Sequence, residues 1–326
     1  MTTSPPQPGA RIVGVGHFQP PRVVSNDEIA RMVDTNDAWI RQRVGIVSRR
    51  FADTESVADM ASEAARAALA DARVHAEEVD LVIVATCSNV NRSPSTAGRV
   101  IESLGLAGAA GFDVNAACSG FVHALETARQ LLAGGATRTA IVVGAERMTD
   151  VTDFTDRSTC ILVGDGAGAV VLRASAEDTF GPIVWGTVPG LADAARIEAP
   201  EGTFAQDGRK VFRWAITEAA PQARKALEAA NLRPDQLAAF IPHQANLRIV
   251  EHLADQLQLT DAVIATDVQE SGNTSAASIP LALSKLLHQH SIPPGAPLLL
   301  FGFGGGFSYA GLVVAAPQHP SEEGSS

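Results

Sequence analysis

One segment of this 326-residue chain occurs twice. Ala68-Leu-Ala-Asp-Ala-Arg-Val74, then Val79-Asp-Leu-Val-Ile83, aligns without gaps on Ala226-Leu-Glu-Ala-Ala-Asn-Leu232, then Leu237-Ala-Ala-Phe-Ile241. Each copy reads as a helix end, a short polar loop and a buried strand. At the same offset Ile141-Val-Val-Gly144 falls on Leu299-Leu-Phe-Gly302. One such match is weak evidence; two in one register point to a duplicated α/β unit, with halves at residues 1–175 and 176–326. Equivalent loops of two such halves meet at a pseudo-twofold axis, so residues distant in sequence can share one site.

Elsewhere short apolar runs alternate with helical patterns, which argues an α/β fold. Strands are expected at residues 11–16, 81–86, 111–114, 140–144, 168–172, 238–242, 262–265 and 297–302. Several are unbroken Val/Ile/Leu runs, the pattern of strands buried on both faces. Ser25 with Glu28, and Ser56 with Asp59, have the spacing of helix capping boxes.

The net charge of −11 excludes the broad basic face of a nucleic-acid binder. Any polyanionic partner has to meet a local cluster such as Arg41, Arg43, Arg49 and Arg50, or Arg209, Lys210 and Arg213. Cys87, Cys118 and Cys160 make an odd count with neither a CxxC pair nor zinc-type spacing. Residues 1–10 are polar and Pro-rich without an apolar signal core, and no apolar run is long enough to span a membrane. A cytoplasmic protein with reduced thiols, no membrane association and a disordered tail at 321–326 is the expectation.

Four segments can carry chemistry. In Asn115-Ala-Ala-Cys118-Ser-Gly120 a strand runs into small residues and then into a helix, which puts Cys118 at or near a helix N-terminus. Dipole and free N–H groups there favour a thiolate nucleophile; a small inert buried cysteine is the other reading. Cys87 and Cys160 lack this setting and read as packing residues. Val163-Gly-Asp-Gly-Ala-Gly168 lacks the Lys-Ser/Thr of a phosphate loop and is expected to form a tight loop in the core. His243 follows directly on a buried strand and Pro242, as a structural or a catalytic imidazole. Asn273 lies in a Gly-Asn turn opening a small-residue helix, as a cap or as an amide donor. In Phe301-Gly-Phe-Gly-Gly-Gly306 successive glycines expose backbone N–H groups, for an oxyanion or for close packing.

Together these segments resemble the signatures of one family. Asn115-Ala-Ala-Cys118-Ser-Gly-Phe, Pro242-His-Gln-Ala-Asn-Leu-Arg-Ile, Gly272-Asn-Thr-Ser-Ala-Ala-Ser-Ile-Pro and Phe303-Gly-Gly-Gly-Phe are similar to those of β-ketoacyl-[acyl-carrier-protein] synthase III. The resemblance extends to Asp37-Ala-Trp-Ile-Arg-Gln-Arg-Val-Gly45, Thr155-Asp-Arg-Ser-Thr and Val211-Phe-Arg-Trp, and so covers nearly the whole chain. It implies a thiolase-like fold, two duplicated halves in five α-β-α-β-α layers, and a homodimer. It also implies an acyltransferase that condenses an acyl-CoA primer with malonyl-ACP or another carrier-bound extender. In that chemistry Cys118 takes the acyl group, and the N–H groups of Cys118 and Gly305 hold its thioester oxygen. After loss of CO2 the enolate attacks, with His243 and Asn273 donating to the malonyl thioester oxygen. No metal or redox cofactor is implied; the CoA thioester is substrate. For CoA the resemblance assigns Trp39 to adenine stacking with Arg43 and Arg157 nearby, and Gly208, Phe212 and Asn246 to the pantetheine path. For the carrier protein it assigns Arg213, Gln244 and Arg248. Elongating synthases use two histidines, and thiolases a second cysteine near the glycine-rich end; this chain has neither.

The chain departs from the family at three places. Asp255 stands where relatives commonly place a carrier-docking lysine. The segment 181–204, which borders the tunnel entrance, is short. Ser93 stands where some relatives place a Phe that narrows the acyl pocket across the dimer, so longer or branched primers are expected to fit. Two other functions share the fold: acyl transfer to a hydroxyl or amine without condensation, and a silent scaffold subunit. Retention of Cys118, His243 and Asn273 speaks against the scaffold.

Overall fold

A computed structural model describes residues 9–91, 93–198 and 202–318; the tail at 321–326 and residues 1–8 lie outside these. Five strands build each of two principal sheets. In the first, β1 (Gly9–Phe18), β2 (Leu81–Ala85), β3 (Ala110–Val114), β4 (Thr139–Arg147) and β5 (Asp165–Ser175) lie in the order β1-β5-β4-β2-β3. In the second, β6 (Val184–Thr187), β7 (Ala239–Pro242), β8 (Val263–Ile264), β9 (Pro297–Phe303) and β10 (Ser308–Ala315) lie in the order β6-β10-β9-β7-β8. The order is therefore the same, strand for strand. In each sheet the two joins on the β1 or β6 side are antiparallel and the other two parallel.

Apolar stripes set the layers. Helices α1 (Val57–Ala72) and α2 (Thr96–Leu104) bury Met60, Ala64, Ala68 and Val100 against the outer face of the first sheet. Helix α3 (Gly120–Ala133) packs Phe121, Leu125 and Leu132 between the sheets, beside Ile279, Leu283 and Leu286 of α7 (Ser278–Gln289). Helices α4 (Gly208–Thr217), α5 (Ala219–Ala229) and α6 (Leu247–Leu257) cover the far face of the second sheet through Trp214, Ala223 and Leu253. The result is the five-layered arrangement of two similar halves. Ser25 with Glu28, and Ser56 with Asp59, make the reciprocal capping bonds their spacing predicts.

The duplication reaches single backbone angles. A shift of 158 residues carries Arg73 onto Asn231 and Ala117 onto Ser275, and all four are left-handed, with φ of 52°, 55°, 44° and 46°. That conformation costs a non-glycine residue about 1–2 kcal/mol, so its occurrence at matched places marks turns inherited by both halves. The same shift carries Asn115 onto Asn273. Each asparagine accepts from the backbone N–H two residues on, at 3.3 Å from Ala117 and 2.9 Å from Ser275.

Two expectations are corrected. The Gly-rich run ending at Gly168 is not a loop, because Asp165–Ser175 is strand β5. A Cβ on Gly168 would stand 2.2 Å from the Leu281 nitrogen, so the bare strand lets α7 lie directly on it. Arg49 belongs to no surface cluster. It is fully buried, giving its guanidinium to Asn26 Oδ1 and the Ile161 carbonyl, and its Cβ lies 3.2 Å from the position a Gly272 Cβ would take.

Candidate active site

The matched turns place the chemistry. Cys118 sits in the 3-10 turn Ala117–Ser119, immediately before α3. Its counterpart turn, Ser275–Ala277, leads into α7, so Cys118 and Ser275 face each other where the two central helices begin. The Cys118 sulfur lies 3.6 Å from Ser275 Oγ. The Gly305 backbone, from the second half, also acts on this thiol and favours its ionised form. A Cβ on Gly304 would fall 2.6 Å from both Cβ and Sγ of Cys118. The helix start does not bring the expected low thiol pKa. Burial pushes the thiol above its ordinary value and the Glu146 charge adds to this, while Ser275 and the Gly305 backbone, which favour the ionised form, only partly offset it.

His243 follows β7, with its backbone N–H on the Phe301 carbonyl of β9 and its ring edge-on to Phe303 at 5.7 Å. It is 2% exposed, and burial lowers its pKa to about 3, so the imidazole is neutral near pH 7. Nδ1 lies 2.7 Å from Ser278 Oγ, which itself accepts from the Gln244 N–H at 3.4 Å. Donation from the Ser278 hydroxyl to Nδ1 would leave the proton on Nε2. Replacing Ser278 by Ala is expected to release this tautomer, lowering kcat about tenfold with KM little changed if His243 donates in the chemical step. It also leaves a buried acceptor unpaired, at about 1–3 kcal/mol on thermal unfolding.

Asn273 is held by backbone bonds to both sides of Val163, its N–H on Leu162 and its carbonyl accepting from Gly164. Since its Oδ1 accepts from Ser275, its amide hydrogens are free to point elsewhere. Cys118, His243, Asn273 and Gly305 all line one cavity of about 1180 Å3. Trp39, Arg43, Arg157, Gly208, Phe212, Arg213, Asn246 and Arg248 line it too. Arg157 lies over the Trp39 ring at 5.2 Å, and Arg248 over Phe212 at 5.5 Å. Asn246 caps α6, its side-chain Oδ1 accepting from the Arg248 N–H. The short segment 181–204 contributes Thr187, Arg196 and Phe204 to the wall.

Two predicted contacts fall elsewhere. Gln244 is 1% exposed, with its amide spent on the Pro242 and Ala265 carbonyls and the Val268 N–H. A residue so enclosed cannot form a docking surface, and it braces the His243 loop instead. Ser93 is exposed and borders a separate hollow between α1 and α2, outside the Cys118 cavity of its own chain. Asp255 is exposed on α6.

Sequence reasoning also treats Cys87 as packing and passes over Glu146, Ser275 and Ser278. Cys87 lines the cavity, 3.3 Å from Ser275 Oγ and 3.2 Å from Glu146 Oε1. A glutamate closing the apolar run Ile141-Val-Val-Gly-Ala-Glu146 was the available signal. Among the described residues no cluster of His, Cys, Asp or Glu is arranged to hold a metal, and no helix is long and apolar enough to cross a membrane.

Residues 112–189 match the family model for 3-oxoacyl-[acyl-carrier-protein] synthase III, and residues 227–316 the model for its C-terminal part. The chain is 53% identical to β-ketoacyl-[acyl-carrier-protein] synthase III 4 of Streptomyces coelicolor, across 95% of this chain and 99% of that one. It is 45% identical to the mycobacterial β-ketoacyl-[acyl-carrier-protein] synthase III of Mycobacterium tuberculosis, across 98% and 100%. Among solved structures, the priming β-ketosynthase of the R1128 polyketide pathway superposes with a TM-score of 0.94 at 41% identity, covering 98% of this chain and 99% of that one. The 3-oxoacyl-[acyl-carrier-protein] synthase III of Aquifex aeolicus gives 0.91 at 37%, covering 94% and 100%.

Proposed function

Because the chain belongs to the β-ketoacyl-[acyl-carrier-protein] synthase III family, with its thiolase fold, we propose that it joins an acyl-CoA primer to malonyl-ACP through an acyl-Cys118 intermediate. It is a condensing enzyme of the acyltransferase class, initiating fatty-acid or polyketide synthesis. The observation that carries the residue assignment is convergence: one cavity joins Cys118 from the first half to His243, Asn273 and Gly305 from the second.

Each group suits one step. The Cys118 sulfur attacks the thioester carbonyl, and the N–H groups of Cys118 and Gly305 receive the developing oxyanion. CoA leaves with the thiol proton. Malonyl thioester then loses CO2, and its enolate oxygen is met by His243 Nε2–H and the Asn273 amide. A neutral imidazole can donate there without removing a proton, which suits a step in which CO2 departure generates the carbanion. The chemistry asks for no metal or redox cofactor.

The finer partners belong to the same proposal. Trp39, Arg43 and Arg157 receive the CoA nucleotide; Gly208, Phe212 and Asn246 flank pantetheine. Arg213 and Arg248, exposed at the cavity mouth, meet an acidic carrier protein despite Asp255. We take the halves as residues 1–175 and 176–326, and the enzyme as a cytoplasmic homodimer. Edge strand β3 leaves Phe112 38% exposed, and Trp185 on edge strand β6 is 53% exposed, surfaces that favour pairing with a second copy. In such a dimer Ser93 would act in the partner's acyl pocket. A Ser93→Phe change that left chain-length preference intact would count against this.

Intact-mass spectrometry after incubation with a panel of acyl-CoAs, then with malonyl-ACP, tests the reading. Acyl mass on the enzyme, discharged with CO2 and a β-ketoacyl product, supports it; discharge to a hydroxyl or amine without CO2 overturns it. The pH dependence follows from the site. His243 stays neutral well below pH 5, so condensation should show no acid limb from this residue above about pH 5. Cys118 is a raised thiol, so its alkylation by iodoacetamide should keep rising with pH beyond the ordinary thiol range of about 8.5.

A further inference from the structure

A chain of hydrogen bonds runs from the nucleophile to a carboxylate. Cys118 Sγ is 3.6 Å from Ser275 Oγ, Ser275 Oγ is 3.3 Å from Cys87 Sγ, and Cys87 Sγ is 3.2 Å from Glu146 Oε1. Glu146 is fully buried, and every contact it makes is with a donor: Thr86, the N–H and S–H of Cys87, the N–H and hydroxyl of Ser88, and the Ala276 N–H. No cation is among them. Cys87 donates its S–H to Glu146 and Cys118 its S–H to Ser275; with the Cys87 hydrogen so placed, the Ser275 O–H is left to point at Cys87. All three hydrogens are polarised away from the nucleophile, an arrangement in which each bond strengthens the next.

The scaffold does not require this chain. Under the shift of 158 residues, Glu146 corresponds to Gly304, Ser275 to Ala117 and Cys87 to Ala245, so the other half carries none of its links. The two carboxylate oxygens also differ. Oε2 holds the Ser88 hydroxyl at 2.5 Å and its N–H at 2.9 Å, whereas Oε1, which faces Cys87, has contacts of 3.2 Å only. Oε1 is thus the more open to a proton.

Resting on Cys118 as acyl acceptor, we propose that Ser275 and Cys87 relay the thiol proton of Cys118 to Glu146 as acyl transfer begins. One proton moves at each link: from Cys118 sulfur to Ser275 oxygen, from Ser275 oxygen to Cys87 sulfur, and from Cys87 sulfur to Glu146 Oε1. The Cys118 thiolate forms its bond to the acyl carbon, and the carbon–sulfur bond to CoA breaks. The departing CoA thiolate is protonated from Ser275, which lines the cavity, and the relay resets with Glu146 ionised. Overall one proton passes from Cys118 to CoA. The titratable groups around Cys118 are Cys87, Glu146 and His243, with His123 further along the same wall.

Single-turnover acylation of Cys118, followed by intact mass between about pH 6 and pH 9, tests the relay in wild type, Cys87→Ala, Cys87→Ser, Ser275→Ala and Glu146→Gln. Cys87→Ala and Ser275→Ala are expected to slow acylation on the order of 10^2-fold near neutral pH, the scale of a general-base contribution. The deficit should shrink as pH rises and hydroxide takes over. Cys87→Ser, which can still accept and donate, should recover most of the rate. Glu146→Gln, which cannot take the proton at Oε1, should behave as Cys87→Ala. In wild type the solvent isotope effect should vary nonlinearly with deuterium fraction, since several protons move together. A Cys87→Ala enzyme that acylates at the wild-type rate across this range overturns the relay. So does a linear isotope dependence in wild type, a result that needs no variant to fold. Absence of acylation in wild type would instead sink the assignment of Cys118, which keeps the two failures apart.

Discussion

In a Cys118→Ala enzyme no acyl adduct is expected from any acyl-CoA, and condensation should fall by on the order of 10^3-fold or more. The value of this variant lies in its pairing with His243→Ala. Removal of the sulfur leaves His243, Asn273 and their supports untouched, because the imidazole is held by Ser278 and Phe303 and the His243 backbone by the Phe301 carbonyl. Release of CO2 from malonyl thioester should therefore persist in Cys118→Ala. His243→Ala should do the reverse. The thiol, with Ser275 and Gly305 about it, remains competent, so acyl-enzyme accumulates. Malonyl-dependent CO2 release should drop about 10^2-fold, the usual loss for one donor to a developing oxyanion. Intact mass and CO2 release measured on the same samples separate the half-reactions. If both variants lost both half-reactions equally, the division of labour between the two halves of the chain would be wrong.

How far such a site can be read from sequence depends on what holds each residue. Cys118, His243 and Asn273 follow buried strands or small-residue turns, whose local pattern is strong, and each falls where a loop of one half meets the other. Glu146 is different. It ends a strand of apolar residues and reads as the strand's polar terminus, because its partners Ser88 and Ala276 lie 58 and 130 residues away. Ser275 and Ser278 disappear into a run of small residues that pattern alone assigns to packing. The low thiol pKa expected at a helix start is absent for a related reason: a helix start can be read locally, whereas enclosure by the second half and the charge of Glu146 cannot. Among the strands, β7, β8 and β9 lie close to where they are expected. β10 was missed because Ser308–Ala315 follows a glycine-rich segment, and β6 because it is a four-residue edge strand with alternating exposure. Gln244 misled in the opposite direction. The resemblance assigns it to carrier docking beside the exposed Arg248, yet its amide is consumed by three backbone groups.

Gly304→Ala tests whether the meeting of the halves, rather than the cysteine turn alone, sets the nucleophile. The Gly304 backbone has φ 163°, which any residue adopts, so the substitution is not a matter of conformational freedom. The obstacle is contact: the added carbon would lie 2.6 Å from both Cβ and Sγ of Cys118. Carbon and sulfur need about an ångström more, and the cysteine, at the start of α3 above a packed layer, has only the cavity to move into. A shift of that size at a reacting atom costs about 10^2-fold in rate. Acylation should fall by at least this much, while thermal unfolding moves by only about 1–3 kcal/mol, the usual cost of one extra methyl in a filled space. Trapping of Cys118 by iodoacetamide should continue, since a displaced thiol is still accessible from the cavity. That combination, a reactive thiol that no longer takes an acyl group, would show that the glycine loop of the second half holds the sulfur beneath the thioester carbonyl. Acylation within about threefold of wild type would show that the loop yields, and that the turn at Ala117 positions Cys118 by itself.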